Sequence, residues 1–539
     1  MHNQIEFKGI PLHHNLVWEG APEDVIHDKK EIHTRLQDLD STYHVVRNGE
    51  QVGLVCGGRL VSEQKKGQPD YLASIPATSP SQLGDATFMD FHGVKYPYYA
   101  GSMANGIASE EMVIALGREK ILGSFGAAGL PMPRLEAAVQ RIQKALPKGP
   151  YAFCLIHSPN EPALEKGAVD LYLKYGVKTL EASAFLSLTP HIVTYRVSGL
   201  RVDAQGHIEI QNRIIAKVSR REVAARFLQP APTKMLAELV AQNRITEEQA
   251  KLAENVPMAD DITVEADSGG HTDNRPLVCL IPSIQAIRDE HQEKYGYEER
   301  VRVGAAGGIG TPVSALGAFM MGADFIVTGS INQACVEAGT STHVKELLAQ
   351  ADMADVMMAP AADMFEMGVK LQVLKRGTLF PMRAQKLYDA YKNYDSIETI
   401  PTAERTKLEQ QIFRKNLDDI WHETVAFFNE RDPEQIHRAA ENPKRKMALI
   451  FRWYLGLSSH WANVGEPGRE MDSQIWCGPA MGAFNNWVKG SYLEHPQNRH
   501  VVDMADHMIA GALYLYRLQS LKSQGIVVPH AFEAYKPTT

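Results

Sequence analysis

Short apolar runs alternate with amphipathic stretches through the middle of the chain. From about residue 95 the runs YPYYA (96–100), ILGSFG (121–126), YAFCLIH (151–157), KTLEASAF (178–185), RIIAKVS (213–219), DITVEADS (261–268), VRVGAAG (301–307) and ADFIVTG (323–329) have the length and apolar density of buried strands. Between most of them apolar residues return at three- and four-residue steps, as in PRLEAAVQRIQKAL and PVSALGAFMMG, which predicts helices. Eight strands with helical connections predict an α/β chain built on a closed (β/α)8 TIM barrel, an architecture of about 250 residues. An open doubly wound sheet usually has fewer strands and ranks second.

Two insertions interrupt the alternation. Residues 200–211 read as a hairpin turning at Ala204-Gln205-Gly206, and residues 233–256 as two extra helices. The second of these opens with Thr246 and Gln249 at capping-box spacing. Ahead of the barrel, Asn48-Gly49 sits between two apolar runs, a strong hairpin signal, and GRLVSEQKKGQPD reads as a polar loop. After about residue 350 the strand pattern vanishes and long helical periods take over. The expected organisation is an N-terminal β-containing segment (1–90), the barrel (91–350) and a C-terminal helical region (351–539).

Composition narrows the class. Of 539 residues, 22% are charged and 44% hydrophobic, as in ordinary globular enzymes, and the net charge of −8 lacks the basic footprint of a nucleic-acid binder. No apolar run is long enough for a membrane span, and MHNQIEFKGI has no secretory h-region. Five scattered cysteines without a CxxC pair fit a reducing cytoplasm better than a disulfide frame or a zinc site.

The candidate chemistry lies at strand ends, where barrel enzymes keep it. Strand seven runs into Gly304, Gly307, Gly308 and Gly310, followed by Thr311 as an N-cap and Pro312 as a first helical residue. Amides freed by glycines at a helix start suit a phosphate. Strand eight ends in a second small turn, Thr328-Gly329-Ser330. Gly304, Gly308 and Gly310 also fit a dinucleotide fingerprint, with Tyr388 and Lys392 as Y-x-x-x-K, but that fingerprint follows the first strand of its fold, not the seventh.

Strand one ends in Gly101-Ser102-Met103, which suits a flat, partly apolar ring across the mouth. Lys217 on strand five could balance an anionic ring, pair with a carboxylate or face solvent. At the end of strand six, Gly269 and Gly270 permit close backbone approach to a ligand, and His271 has the ordinary pKa, near 6.5, that suits proton transfer. The competing reading has His271 capping the next helix or packing under the loop. His271 and Asp273 alone do not make a metal site, and no metal is expected.

Taken together, AGSMANGIASEEMVIALGREKILGSFGAAGLP, EADSGGHTDN and GAAGGIGTPVSALGAFMMGADFIVTGSINQA resemble the flavin-dependent barrel family of nitronate monooxygenases and FMN-dependent enoyl reductases. EASAFLSLTPHIVTYRVSGL, VTGSINQACVEAGTS and FRWYLGLSSHWANVGE point to its PfaD branch, the trans-acting enoyl reductases of polyunsaturated fatty acid and polyketide synthases. The resemblance implies FMN at the mouth, with Gly307, Gly308, Gly310, Thr328, Gly329 and Ser330 around its phosphate. Gly101, Ser102 and Met103 would run beside the ring, Lys217, Gly269 and Gly270 would line it, and His271 would be the active-site histidine. It implies NADPH as hydride donor, an enoyl thioester substrate and an acyl carrier protein as partner, and leaves a homo-oligomer open. Strand three reads AFCLIHSPN where simpler reductases often carry an asparagine, so no ligand is assigned there. The alternatives are nitronate oxidation on the same flavin and a non-catalytic synthase scaffold. Carrier proteins are commonly acidic, so Arg220-Arg221, Lys375-Arg376 with Arg383 and Lys386, and Lys444-Arg445-Lys446 are candidate docking clusters.

Overall fold

The computed structural model describes residues 6–7, 16–62, 67–159 and 162–538. Asn160 at the end of strand three, the polar stretch 63–66 and most of the opening decapeptide lie outside the described residues. The predicted barrel is present. Its strands are β1 (Tyr98–Ala100), β2 (Leu122–Phe125), β3 (Ala152–Ile156), β4 (Thr179–Ser183), β5 (Arg213–Val218), β6 (Asp261–Glu265), β7 (Arg302–Ala306) and β8 (Ile326–Thr328). Each pairs in parallel with the next, and β8 closes on β1 through Ile326 opposite Tyr98 and Thr328 opposite Ala100. Alternation turns Tyr99, Leu122, Ala152, Ile215, Phe325 and Val327 into one inner core with Phe88. Ile214, Ala216, Ile262 and Val264 belong to the larger core, which the surrounding helices share. Both predicted insertions form: a hairpin of Leu200–Val202 with Ile208–Ile210, and helices Thr233–Ala241 and Glu247–Leu252, with the Thr246–Gln249 capping box in place.

The floor of the barrel is plugged by the helix Ala86–His92. Fully buried Asp261, first residue of β6, accepts from Arg302 Nε at 2.6 Å and bonds His92 Nε2 at 2.8 Å. Phe91 lies under the guanidinium groups of Arg213 and Arg302. Burial alone would raise the Asp261 carboxyl, but the charges and hydrogen bonds of Arg302 and His92 hold it at about 2. A carboxyl depressed below its ordinary value stabilises the fold above that value and loses the contribution as pH falls toward 2. The shift corresponds to roughly 2 kcal/mol. The gap in thermal midpoint between wild type and Asp261→Asn should therefore narrow between pH 5 and 2.5; a constant gap would contradict the assignment.

N-terminal to the barrel lies a five-stranded antiparallel sheet. Its hairpin, Tyr43–Asn48 with Gln51–Cys56, turns at Gly49-Glu50, and Gly49 adopts φ +60°.

The stretch after residue 350 departs from its helical reading in two ways. A β-hairpin, β9 (Val356–Pro360) and β10 (Lys370–Leu374), pairs with the short strand Gly270–His271 at the barrel rim. VMMAP is short, methionine-rich and proline-ended, so it carries little period-two signal. The chain also builds a second core between Ala359 and Trp461, then returns to the barrel. Five helices are relevant here: α1 (Glu110–Arg118), α2 (Pro312–Met320), α3 (Pro443–Val464), α4 (Ala480–Val488) and the last, α5 (Val501–Ser523). α5 packs against both α2 and α1, in the place of an eighth barrel helix. A Cβ on Gly511 would lie 2.6 Å from Pro312 Cγ, so the two helices approach as closely as glycine allows. Residues 351–539 are thus not a purely helical unit following the barrel. No helix among the described residues is long and apolar enough to cross a membrane.

Candidate active site

Strand register brings the ends of β6, β7, β8 and β1 side by side. Glu265 is opposite Ala306, Ala306 opposite Val327, and Thr328 opposite Ala100. The turns after these strands therefore share one sector of the mouth. Gly101 N donates to Thr328 O at 3.0 Å, tying the strand-one turn to the strand-eight turn.

The glycines divide by what faces their missing side chains. A Cβ on Gly307 would lie 2.7 Å from the Ala266 carbonyl carbon, one on Gly269 2.8 Å from Cys477 N, and one on Gly310 2.3 Å from Ala480 O. These three are packed against the protein's own backbone. Gly310 N donates to Ser314 Oγ at 3.1 Å. Gly270, at φ +79°, has Trp476 Cγ 4.0 Å from its Cβ position. Gly308, at φ +73°, and Gly329, at φ −131°, have nothing within 4 Å. The amides of Gly308, Gly329 and Ser330 have no hydrogen-bond partner among the described residues. Two adjoining turns thus offer space and unpaired N–H groups together, which is what an anion needs. Ser330 Oγ accepts from Gly478 N at 3.0 Å. The Thr328 hydroxyl is bonded to Tyr98 and Asn332, and is committed to the wall.

One segment, Trp476–Ala480, packs on two of these glycines, Gly269 and Gly310. It runs along the rim from Gly269 past Ser330 to Gly310, directly before α4. Further round, α3 reaches the end of β1, where Asn105 Nδ2 donates to Ser459 Oγ at 3.1 Å. The second core therefore covers one side of the mouth as a lid.

Inside the mouth stands a charged cluster that strand reading did not resolve. Lys217 Nζ lies 3.1 Å from Glu265 Oε1 and 3.4 Å from Glu181 Oε1. Burial would lower the Lys217 ammonium, but the two carboxylates raise it well above its ordinary value. Glu181, on β4 and fully buried, also accepts from Ser102 N and Ser102 Oγ, both at 3.0 Å, and so fixes the turn that leads to Met103. Of the roles open to Lys217, the structure shows the pairing with carboxylates. The signal for Glu181 was a lone carboxylate in a buried strand, TLEAS, beside a strand holding a lone lysine.

His271 stands beside this cluster. Its Nε2 is 3.1 Å from Asp363 Oδ1, on the loop joining β9 to β10. Burial pulls the imidazole down, but the Asp363 hydrogen bond and charge, with Glu265 behind, raise it above its ordinary value. Asp273 is bidentate to Arg220 and bonded to Ser219, which removes it from any metal reading. On strand three, His157 is bonded to Glu165. In the basic clusters, Arg220, Arg376, Arg383, Lys444 and Lys446 are all paired with carboxylates.

Comparison with known proteins converges on one group. A family model described as fatty acid synthase subunit PfaD N-terminal domain matches residues 18–77. Another, described as acyl-carrier-protein S-malonyltransferase, inserted helical domain, matches residues 394–473, within the lid. The chain is 52% identical over 466 residues to a polyunsaturated fatty acid synthase polypeptide of Thraustochytrium sp., covering 85% of this chain and 31% of that polypeptide. It is 47% identical over 464 residues to polyketide biosynthesis protein PksE of Bacillus subtilis, covering 86% of this chain and 60% of PksE. It thus spans about a third of the first relative and three fifths of the second. Among solved structures, the enoyl reductase domain of MlnA, from the macrolactin cluster of Bacillus amyloliquefaciens, is 43% identical with a TM-score of 0.78, covering 82% of this chain and all of that domain.

Proposed function

The chain belongs to the PfaD-type family of enoyl reductase barrels, and on that premise we propose that it is an FMN- and NADPH-dependent enoyl reductase. It would act in trans, in the cytoplasm, on enoyl thioesters held by acyl carrier protein domains of a polyunsaturated fatty acid or polyketide synthase. The observation that carries this reading is the open double turn, Gly308 with Gly329–Ser330, beside the Gly101–Met103 turn and within the same mouth as His271.

The residues present fit a phosphorylated flavin. The unpaired amides of Gly308, Gly329 and Ser330 would hold the phosphate, and the Glu181-anchored turn would carry Met103 alongside the ring. Bound there, FMN would relay hydride from NADPH to the β-carbon of the enoyl thioester. The protein's part is to orient and to supply the proton. His271, held on a paired strand at the rim, would donate to the α-carbon. The Trp476–Ala480 segment and α3 would keep water from one side of the cleft. Glu181, Lys217 and Glu265 lock one another, so this part of the mouth stays charged, rigid and without a mobile acid of its own.

The test is an anaerobic spectrum. The purified protein should be yellow, bleach when NADPH is added under nitrogen, and regain its colour when a crotonyl thioester follows. Bleaching that only oxygen or a nitronate reverses would replace this reading with the oxidase one, and a colourless protein that takes up no FMN would favour the scaffold.

A further inference from the structure

His271 is held from two directions by the lid. Its backbone pairs with Leu371 of β10, and Gly270 pairs with Gln372, so the lid hairpin sets where the histidine stands. Its ring is then reached by Asp363, from the loop of the same hairpin. Only Nε2 is engaged; Nδ1 makes no hydrogen bond to another described residue. Building on the assignment of His271 as the acid, we infer that Asp363 is its positioning residue: the carboxylate takes the Nε2–H, fixing the ring so that Nδ1 carries the proton given to the substrate α-carbon. Each turnover then moves one proton from Nδ1 to carbon, leaves a neutral ring that keeps its Nε2–H, and is reset by a proton from solvent.

The surroundings support this division. From β6, Glu265 faces the ring, and Lys217 is bound to it at 3.1 Å. Behind Asp363 stands Arg452 of α3, 3.5 Å from Glu366. Asp273 is neutralised by Arg220. Burial would raise the Asp363 carboxyl, but the His271 hydrogen bond and charge, with Arg452 further off, bring it below its ordinary value. Below the raised His271 value the pair is therefore an imidazolium on a carboxylate, the strong kind of hydrogen bond. Because Asp363 belongs to the lid and His271 to the barrel end, the acid is complete only with the lid seated.

The experiment uses the full chain with FMN and compares wild type, Asp363→Asn and Asp363→Glu. Diethylpyrocarbonate acylates neutral imidazole, and His271 is 37% exposed, so its labelling can be followed against pH by peptide mass spectrometry. Asp363→Asn should move the labelling midpoint to lower pH. It should also cut carrier-bound enoyl reduction at pH 8 by about tenfold or more, the loss of one charge-assisted hydrogen bond, with flavin content and the NADPH half-reaction unchanged. Asp363→Glu should restore most of both, and in a His271→Ala background Asp363→Asn should cost nothing further. A midpoint that stays put overturns the inference whatever the turnover. A midpoint that moves while turnover is unchanged overturns instead the role of His271 as acid, and Asp363's with it.

Discussion

Gly329→Val is expected to give a folded but colourless protein. The substitution is suited to this because Gly329 lies outside the left-handed region, at φ −131°, and its Cβ position meets nothing within 4 Å. A Cβ there therefore displaces no atom of the chain, and the isopropyl group grows from it beside the unpaired amides of Gly308, Gly329 and Ser330. A phosphate held there would lose charge-assisted hydrogen bonds, each about 1.5–3 kcal/mol. Losing two should weaken flavin binding by at least roughly 10²-fold and abolish reduction of every acyl substrate. Flavin content measured at 450 nm against protein, with a thermal melt as the folding control, decides the matter. Full yellow occupancy would place the phosphate elsewhere. Gly310 makes the contrast: its Cβ would strike Ala480 O at 2.3 Å, so a substitution there would damage the lid contact and say nothing about the cofactor.

That contrast also shows what a sequence can and cannot disclose here. The eight barrel strands are legible because each is a compact apolar run between helical periods, and closure follows from their number. The clustering of glycines at strand ends is equally visible. What each glycine is for is not, since a missing Cβ leaves open space at Gly308 and Gly329 but makes room for the chain's own backbone at Gly269, Gly307 and Gly310. The partners of Gly269 and Gly310, Cys477 and Ala480, lie some 170 to 210 residues downstream and have no local pattern that points back. The same holds for the eighth helix position, filled by Val501–Ser523 after the chain has left to build the lid. Asp363 sits in a loop between two weakly marked strands, and nothing in ADMFEMG singles it out. Lys217 was visible as an anomaly, and the strand register alone supplies its answer, by setting Glu181 and Glu265 on the flanking strands.

His271→Ala tests the chemistry as Gly329→Val tests the binding. His271 is on the rim beyond β6, while the phosphate turns follow β7 and β8, so the ring can be removed without touching the amides. Flavin content and bleaching by NADPH should be those of the wild type. Reoxidation by an enoyl thioester should slow by about 10²–10⁴-fold, the usual worth of a positioned general acid. The pH profile gives a second check. Burial works against the charged ring, but Asp363 and Glu265 more than offset it, so the imidazolium persists to higher pH than in an ordinary histidine. Wild-type reoxidation should therefore hold level on the acid side and fall as pH rises through that raised value, and the variant should lack this limb. A variant that reduces substrate at the normal rate with the same alkaline limb would remove His271 from the mechanism and leave the proton to water. The two substitutions thus separate failures that one activity assay would merge: colourless and dead if the cradle is blocked, yellow and slow if the acid is gone.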